Sequence, residues 1–236
     1  MEKSFAVTAG FQIFNNMACG TCAYMKEEIQ KAVEVLRKGG VILYPTDTIW
    51  GIGCDATDPE AVARVYDIKR RDDSKSLVLL ASDMDMVCRY VKEVPEMAVQ
   101  LVEVNDKPMT IIYPGAIAGQ IPLGGLPTDT CNKAVFPKQD RNVLAFNTVA
   151  EDGSVGIRIP MMEFCRKLIS SFGRPIVSTS ANISGQPAPK NYAEISDEIL
   201  LSADYIVDPV LERGSTGHSS SIIKLGLDYS IEIIRK

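Results

Sequence analysis

Apolar residues along this chain fall either in short runs typical of buried strands or in longer stretches with helical spacing. The short runs predict strands over 41–44, 77–80, 109–113, 155–159 and 176–177. Helical spacing predicts helices over 26–38, 59–68, 95–103 and 161–171. Two last apolar runs, 221–225 and 231–234, flank Gly226-Leu227-Asp228 and predict a hairpin. The alternation predicts an α/β protein, and the hairpin makes its sheet mixed.

Residues with known capping preferences mark where these helices begin and end. Asp58-Pro59 reads as an N-cap followed by a proline at the first helical position. Ser82 is positioned to cap the helix after the second strand. Gly39-Gly40 and Gly173 are typical of helix ends.

Composition limits the class of protein. A chain of 236 residues with 46% hydrophobic and 23% charged residues is long enough to bury a large core in one domain. A formal net charge of −5 disfavours wholesale coating of nucleic acid. No apolar run approaches the roughly 18 residues of a membrane span, and the first residues lack a signal-peptide pattern, so we expect a cytoplasmic protein with no membrane partner.

The six cysteines are scattered, as is typical of reduced intracellular thiols. The exception is Cys19-Gly20-Thr21-Cys22, whose spacing resembles a redox motif. A second cysteine pair that would complete a zinc site is missing from the sequence. We therefore interpret this segment as part of an additional leader, with redox or metal function as the alternative.

Three polar motifs follow predicted strands or a predicted helix. Tyr44-Pro45-Thr46-Asp47-Thr48-Ile49-Trp50-Gly51 follows the first strand, Lys69-Arg70-Arg71 ends a helix, and Ser178-Thr179-Ser180-Ala181-Asn182 follows the strand at 176–177. Open α/β sheets bind ligands at strand ends. Cations beside a dense group of hydroxyls suit phosphate or carboxylate, so these motifs predict one anion-binding site.

Together with Ser220-Ser221-Ile222-Ile223, these motifs resemble the YrdC/TsaC family of threonylcarbamoyl-adenylate synthases, which begin the synthesis of threonylcarbamoyladenosine in tRNA. The resemblance covers about residues 25–115 and 141–236. It implies a YrdC-like twisted mixed sheet flanked by helices, in a single domain with a large concave site. Residues 1–24 and 117–140 do not fit the family pattern, so we interpret them as an atypical N-terminal extension and an insertion within a domain spanning 25–236.

The resemblance also implies a reaction. L-threonine, bicarbonate and ATP, with Mg²⁺ as the counterion of ATP, would give threonylcarbamoyl-AMP and pyrophosphate. Transfer of the product would involve tRNA and partner proteins of tRNA modification. No cluster of carboxylates marks a metal site held by the protein, so none is predicted.

Roles follow from matching family positions. Lys69 and Arg71 would form the catalytic charge clamp on phosphate. The residues implied to contact threonine are Thr46, Arg158, Ser178 and Ser220. Those implied to contact ATP are Lys69, Ser154, Ser180, Asn182 and Arg235. Trp50 stands where the family more often has tyrosine, and either closes the pocket wall or stacks on a ligand.

Two other functions fit the same fold. A non-enzymatic module that binds double-stranded RNA would use the same basic concavity, although the acidic net charge disfavours it. A sugar-phosphate enzyme similar to dihydroxybutanone-phosphate synthase would need an acidic metal site and a general base. His218, the single histidine, lies in a predicted loop and is interpreted as a surface residue.

Overall fold

The computed structural model describes residues 22–70, 77–121, 125–129, 134–136 and 139–236. Its helices are α1 (residues 22–37), α2 (Pro59–Lys69), α3 (Met84–Tyr90), α4 (Glu96–Val104), α5 (Glu163–Phe172) and α6 (Asp197–Ser202). Its strands are β1 (Ile42–Tyr44), β2 (Gly51–Gly53), β3 (Val78–Leu80), β4 (Met109–Tyr113), β5 (Val155–Arg158), β6 (Ile176–Ser180), β7 (Tyr205–Ile206), β8 (Ser221–Leu225) and β9 (Ile231–Arg235). Short 3₁₀ helices lie at Phe146–Thr148, Tyr192–Glu194 and Pro209–Leu211.

The strands form one mixed sheet in the order β7-β1-β2-β6-β3-β5-β4-β8-β9. The pairs β1 with β7, β3 with β5 and β4 with β8 are parallel, and the other neighbours are antiparallel. The mixed α/β sheet predicted from the sequence is confirmed. The predicted hairpin is also present, as the antiparallel pair of β8 and β9.

Helix α2 begins and ends as the sequence predicts. The Asp58 side chain accepts hydrogen bonds from the backbone N–H groups of Glu60 and Ala61, and Pro59 occupies the first turn, where a missing N–H costs nothing. The helix ends at Lys69, and the C-cap residue Arg70 takes a left-handed conformation with φ 48°. Because both ends are set locally, α2 places Lys69 at a defined point beside the sheet.

The start of α3 corrects one prediction. Asp83, rather than Ser82, is the N-cap, and its carboxylate accepts a hydrogen bond of 2.7 Å from the Met86 N–H. The Ser82 hydroxyl donates to the other Asp83 oxygen at 2.7 Å. That bond is the main cause that holds the pKa of Asp83 below its ordinary value. A carboxylate accepts from backbone donors more strongly than a hydroxyl does, which explains the exchange of roles.

The core surrounds the central strands of the sheet. Ile176 and Val177 in the first half of β6 are fully buried beside Leu79 and Leu80 of β3. Each such side chain contributes about 1.5–3 kcal/mol by leaving water. The second half of β6, from Ser178 onward, is polar and half-buried. The apolar half therefore anchors a polar half that reaches the site described below.

Parts of the sequence predictions lie outside the described residues. These include Arg71, the Cys19 end of the Cys-x-x-Cys motif, and most of the predicted extension over 1–24. Helix α1 is already present at residue 22, earlier than the predicted start at residue 26. The extension and the insertion at 117–140 stay predictions. In the described part of the chain, no helix is long and apolar enough to cross a membrane.

Candidate active site

A cavity of about 250 Å³ lies where several strands end and contains most of the predicted ligand-binding residues. The loop after β1, the end of β6, the start of β8 and the last residues of β5 and β9 all contribute to it. Its walls are Thr46, Thr48, Ile49, Trp50, Gly51, Val78, Arg158, Ser178, Thr179, Ser180, Ser219, Ser220, Ile222 and Arg235. The sheet thus gathers the first motif, the third motif and the late serines around one space.

Thr46 shapes the loop at the first motif. Its buried hydroxyl donates to the Ile49 carbonyl at 2.7 Å and accepts from the Thr48 N–H at 3.1 Å. The Thr48 hydroxyl lies 2.8 Å from the same oxygen and also lines the cavity. Thr46 therefore holds a tight turn as well as a wall position. Sequence reasoning did not select Thr48, although it belongs to the same motif.

Arg158 forms a buried ion pair with Asp47. The side chains of Arg158 and Asp47 are only 4% and 7% exposed, and Nη1 of Arg158 donates to Oδ1 of Asp47. The other Asp47 oxygen accepts from the Met161 N–H at 3.0 Å. Among the described residues Asp47 is the only hydrogen-bond partner of this guanidinium, so its remaining donors are available to a ligand in the cavity.

Ser178 and Ser180 of β6 line the same cavity as Arg158. Ser180 is paired with Gly51 in the sheet, and a Cβ at Gly51 would lie 3.3 Å from the Ser178 Oγ. Glycine at position 51 therefore lets the backbone of β2 approach the Ser178 side chain closely. Thr179 also lines the cavity. It was part of the predicted motif but received no role there.

Ser220 and Arg235 also line the cavity. The Ser220 hydroxyl lies 2.8 Å from the Thr110 hydroxyl, and Nε of Arg235 donates to the Ser220 carbonyl at 2.9 Å. Partial desolvation lowers the pKa of the Arg235 guanidinium, and the nearby charge of Arg158 lowers it further. Two arginines that repel each other across one cavity make it favourable for an anion.

Lys69 lies behind the third motif and not in the cavity wall. Its buried ammonium donates to the Ser180 carbonyl at 2.5 Å and to the Asn182 carbonyl at 2.7 Å. Asn182 is also outside the wall, and its amide donates to the carbonyls of Ile183 and Gln186. In this arrangement Lys69 holds the loop that carries the hydroxyls.

Ser154 is likewise not part of the cavity wall. It precedes β5, at the end opposite Arg158, and alternation places the two on the same face of the strand. Its hydroxyl donates to Asp152 Oδ1 at 2.6 Å. Hydrogen bonds from Lys224 and Ser154 lower the pKa of Asp152 to about 2. The structure therefore separates Ser154 from the other predicted contacts by the length of β5.

A larger cavity of about 730 Å³ also reaches Asp47, but its walls are mostly apolar and include Met161, Met162 and Phe164. Among the described lining residues Arg213 is the single cation, against the carboxylates of Glu163, Asp208 and Asp47. An anionic substrate fits the smaller cavity better. Among the described residues, no group of three or more His, Cys, Asp or Glu side chains could hold a metal ion.

The fold and the cavity together define an α/β protein with a site for a small anionic ligand. The chain belongs to the Sua5/YciO/YrdC family, whose sequence profile, described as "Telomere recombination", matches residues 34–128 and 132–236. The resemblance predicted from the motifs is confirmed. A Vibrio cholerae protein named threonylcarbamoyl-AMP synthase is 36% identical over 211 residues, covering 89% of this chain and 97% of that protein.

Solved structures agree with this assignment. P. abyssi Sua5 complexed with L-threonine is 27% identical with a TM-score of 0.64, covering 84% of this chain and 50% of that one. The chain therefore spans about half the length of that structure. E. coli YciO, at 23% identity and a TM-score of 0.66, covers 90% of this chain and 89% of its own, and supports the fold.

Proposed function

We propose that this protein is an L-threonylcarbamoyladenylate synthase, a nucleotidyltransferase that makes threonylcarbamoyl-AMP and pyrophosphate from L-threonine, bicarbonate and ATP. The enzyme class predicted from the motifs agrees with the names of its curated relatives. One observation carries the proposal for this chain: a single cavity holds two arginines and a row of hydroxyls drawn from distant motifs. These are the groups that a carboxylate and a phosphate require.

The reaction needs two anions to meet. The threonine amine adds to carbon dioxide derived from bicarbonate and loses a proton, which gives a carbamate. A carbamate oxygen then attacks the α-phosphorus of ATP, a new P–O bond forms, and the bond to pyrophosphate breaks with its electron pair. Because little covalent chemistry falls to the protein, its contribution is to position the reactants and stabilise the negative charge.

The volume of the cavity and its lining suggest which residues bind threonine and which bind the nucleotide. At about 250 Å³ it suits an amino acid better than a whole nucleotide, since drug-sized ligands occupy roughly 300–1,000 Å³. Arg158, with its free donors, is the group for the threonine carboxylate, helped by Thr46, Ser178 and Ser220. Ser180 and Arg235, which also line it, would contact the nucleotide.

Other assignments rest on the family resemblance. Lys69 and Arg71 would act on the phosphates, and Ser154 and Asn182 would contact ATP beyond the cavity. Mg²⁺ would enter with ATP, held mainly by phosphate oxygens. The product would pass to tRNA through partner proteins, and a cytoplasmic location fits that role.

Pyrophosphate release from ATP tests the proposal. Purified protein with bicarbonate is assayed with L-threonine, with L-serine and without an amino acid. We expect release that depends on threonine, with little release in the other two reactions. A folded protein that releases none would contradict the proposal. If it also bound double-stranded RNA with steep salt dependence, the RNA-binding alternative would replace it.

A further inference from the structure

The single tryptophan of the chain lies in the wall of the cavity. Trp50 is fully buried, and its backbone carbonyl accepts a hydrogen bond of 3.0 Å from the Ala181 N–H. Its ring packs against Tyr192, with the ring centroids 5.2 Å apart and the planes tilted by 52°. Trp50 is thus held by a backbone hydrogen bond from the third motif and by the ring contact with Tyr192.

The only polar atom of this side chain has no hydrogen-bond partner among the described residues. Nε1 of Trp50 is buried and makes no hydrogen bond with any described residue. Buried polar groups are nearly always paired, because an unpaired donor costs about 1–3 kcal/mol. Several hydroxyls line the same cavity, yet none accepts from the indole. Trp50 therefore carries a buried donor without an acceptor among the described residues, on a side chain that belongs to the cavity lining.

We propose that the indole N–H of Trp50 donates a hydrogen bond to an anionic oxygen of the bound substrate. The indole is a donor only, so its partner must be an acceptor. The reaction of the proposed function, on which this inference rests, brings carboxylate, carbamate and phosphate oxygens to the cavity. A bond to an ionised oxygen is stronger than one to a neutral group, so binding converts an unpaired donor into a specific contact.

The wild-type protein can be tested directly by NMR. With ¹⁵N-labelled protein, one tryptophan gives one indole N–H signal, and its absence from Trp50→Phe identifies it. We expect the indole proton to move downfield on saturation with L-threonine or with a non-hydrolysable ATP analogue. L-threoninamide and adenosine, which lack the carboxylate and the phosphates, tell which oxygen accepts. The ligand responsible should bind Trp50→Phe about tenfold more weakly by calorimetry.

A matched variant separates the hydrogen bond from ring packing. Tyr192→Leu removes the neighbouring ring and keeps the indole N–H, so we expect its affinity to stay near that of the wild type. Equal losses in Trp50→Phe and Tyr192→Leu would overturn the proposal in favour of packing. So would an indole signal that stays in place while calorimetry records saturation. A wild-type protein that binds neither ligand would instead refute the proposed function, and this inference with it.

Discussion

Two buried aspartates lie in contrasting surroundings, one at the candidate active site and one away from it. Asp47 and Asp55 both accept hydrogen bonds from arginine, and both are almost inaccessible to water. Among the described residues Arg158 is the single cation paired with Asp47, whose other oxygen accepts from the Met161 N–H, and that guanidinium is itself buried and lines the cavity. The remaining N–H donors of Arg158 are therefore available to a ligand in the cavity.

Both carboxylate oxygens of Asp55 are saturated with hydrogen bonds from the protein. One of its oxygens accepts from the N–H and the hydroxyl of Thr57, at 2.9 and 2.7 Å. The other accepts from Arg141 at 3.0 Å and from two nitrogens of Arg174 at 3.1 and 2.9 Å. Both arginines reach solvent, with side chains 48% and 25% exposed.

The difference shows how one pair of residue types serves two purposes. Around Asp55 every acceptor is used and the cations stay hydrated, so the cluster tethers the 141–148 segment and the start of β6 to the rest of the fold. The Arg158 side chain is more buried than those of Arg141 and Arg174, and fewer of its donors are paired with protein acceptors. An incompletely paired buried cation is costly for folding and valuable for ligand binding.

The largest expected effect is the loss of Asp47. Asp47→Ala strands the buried charge of Arg158, and we expect the free energy of unfolding to fall by about 3–5 kcal/mol, measured by urea denaturation. The double variant Asp47→Ala/Arg158→Met, which removes both charges, should regain much of that stability. If Asp47→Ala were as stable as the wild type, the buried charge of Arg158 would not depend on Asp47 for its stability.

A conservative change at the cavity should affect activity more than folding. Arg158→Lys keeps the charge beside Asp47 but loses the planar fork, so kcat/KM for threonine-dependent pyrophosphate release should fall about 10²–10³-fold. Arg141→Lys makes the same change in the saturated cluster and should leave kcat/KM unaltered. If the two variants lose activity equally, the distinction between the clusters is wrong.

Removing Asp55 should cost less than removing Asp47. Asp55→Ala leaves two arginines that still reach water, so no buried charge is stranded, and only the Thr57 donors lose a buried partner. We expect a loss of about 1–3 kcal/mol in urea denaturation. The threonine-dependent rate of the folded protein should be unchanged. A destabilisation larger than that of Asp47→Ala would reverse the comparison.

The smallest expected loss of stability comes from the exposed ion pair of Asp152 and Lys224. Its side chains are 53% and 40% exposed, so Asp152→Asn should cost well under ~1 kcal/mol at neutral pH. The pKa of Asp152 is about 2, below the ordinary value of 3.8, so this stabilisation is present above pH 3.8 and is lost as the pH falls towards 2. Urea denaturation of both proteins at pH 7 and pH 3 should show the difference shrinking. A constant difference would mean that the charge of Asp152 is irrelevant.

Local signals in the sequence were sufficient for most of the secondary structure. β4 was predicted with its observed bounds, and α2 with its cap and proline, because these depend on residues a few positions apart. The N-cap of α3 was predicted one residue early, because Ser82 and Asp83 are both capping residue types. Family motifs added Thr46, Arg158, Ser178, Ser180, Ser220 and Arg235, all of which line the cavity.

The alternation of helices and strands, the family and the residue types available for anion binding can all be read from the amino-acid sequence alone. The tertiary structure decided how those residues are used. It paired Arg158 with Asp47, turned Lys69 towards loop carbonyls, kept Ser154 out of the cavity wall and left the Trp50 N–H unpaired. Each outcome except that of Ser154 depends on groups far apart in the chain. Patterns over a few residues cannot specify which distant donor meets which acceptor, or which is left for a ligand.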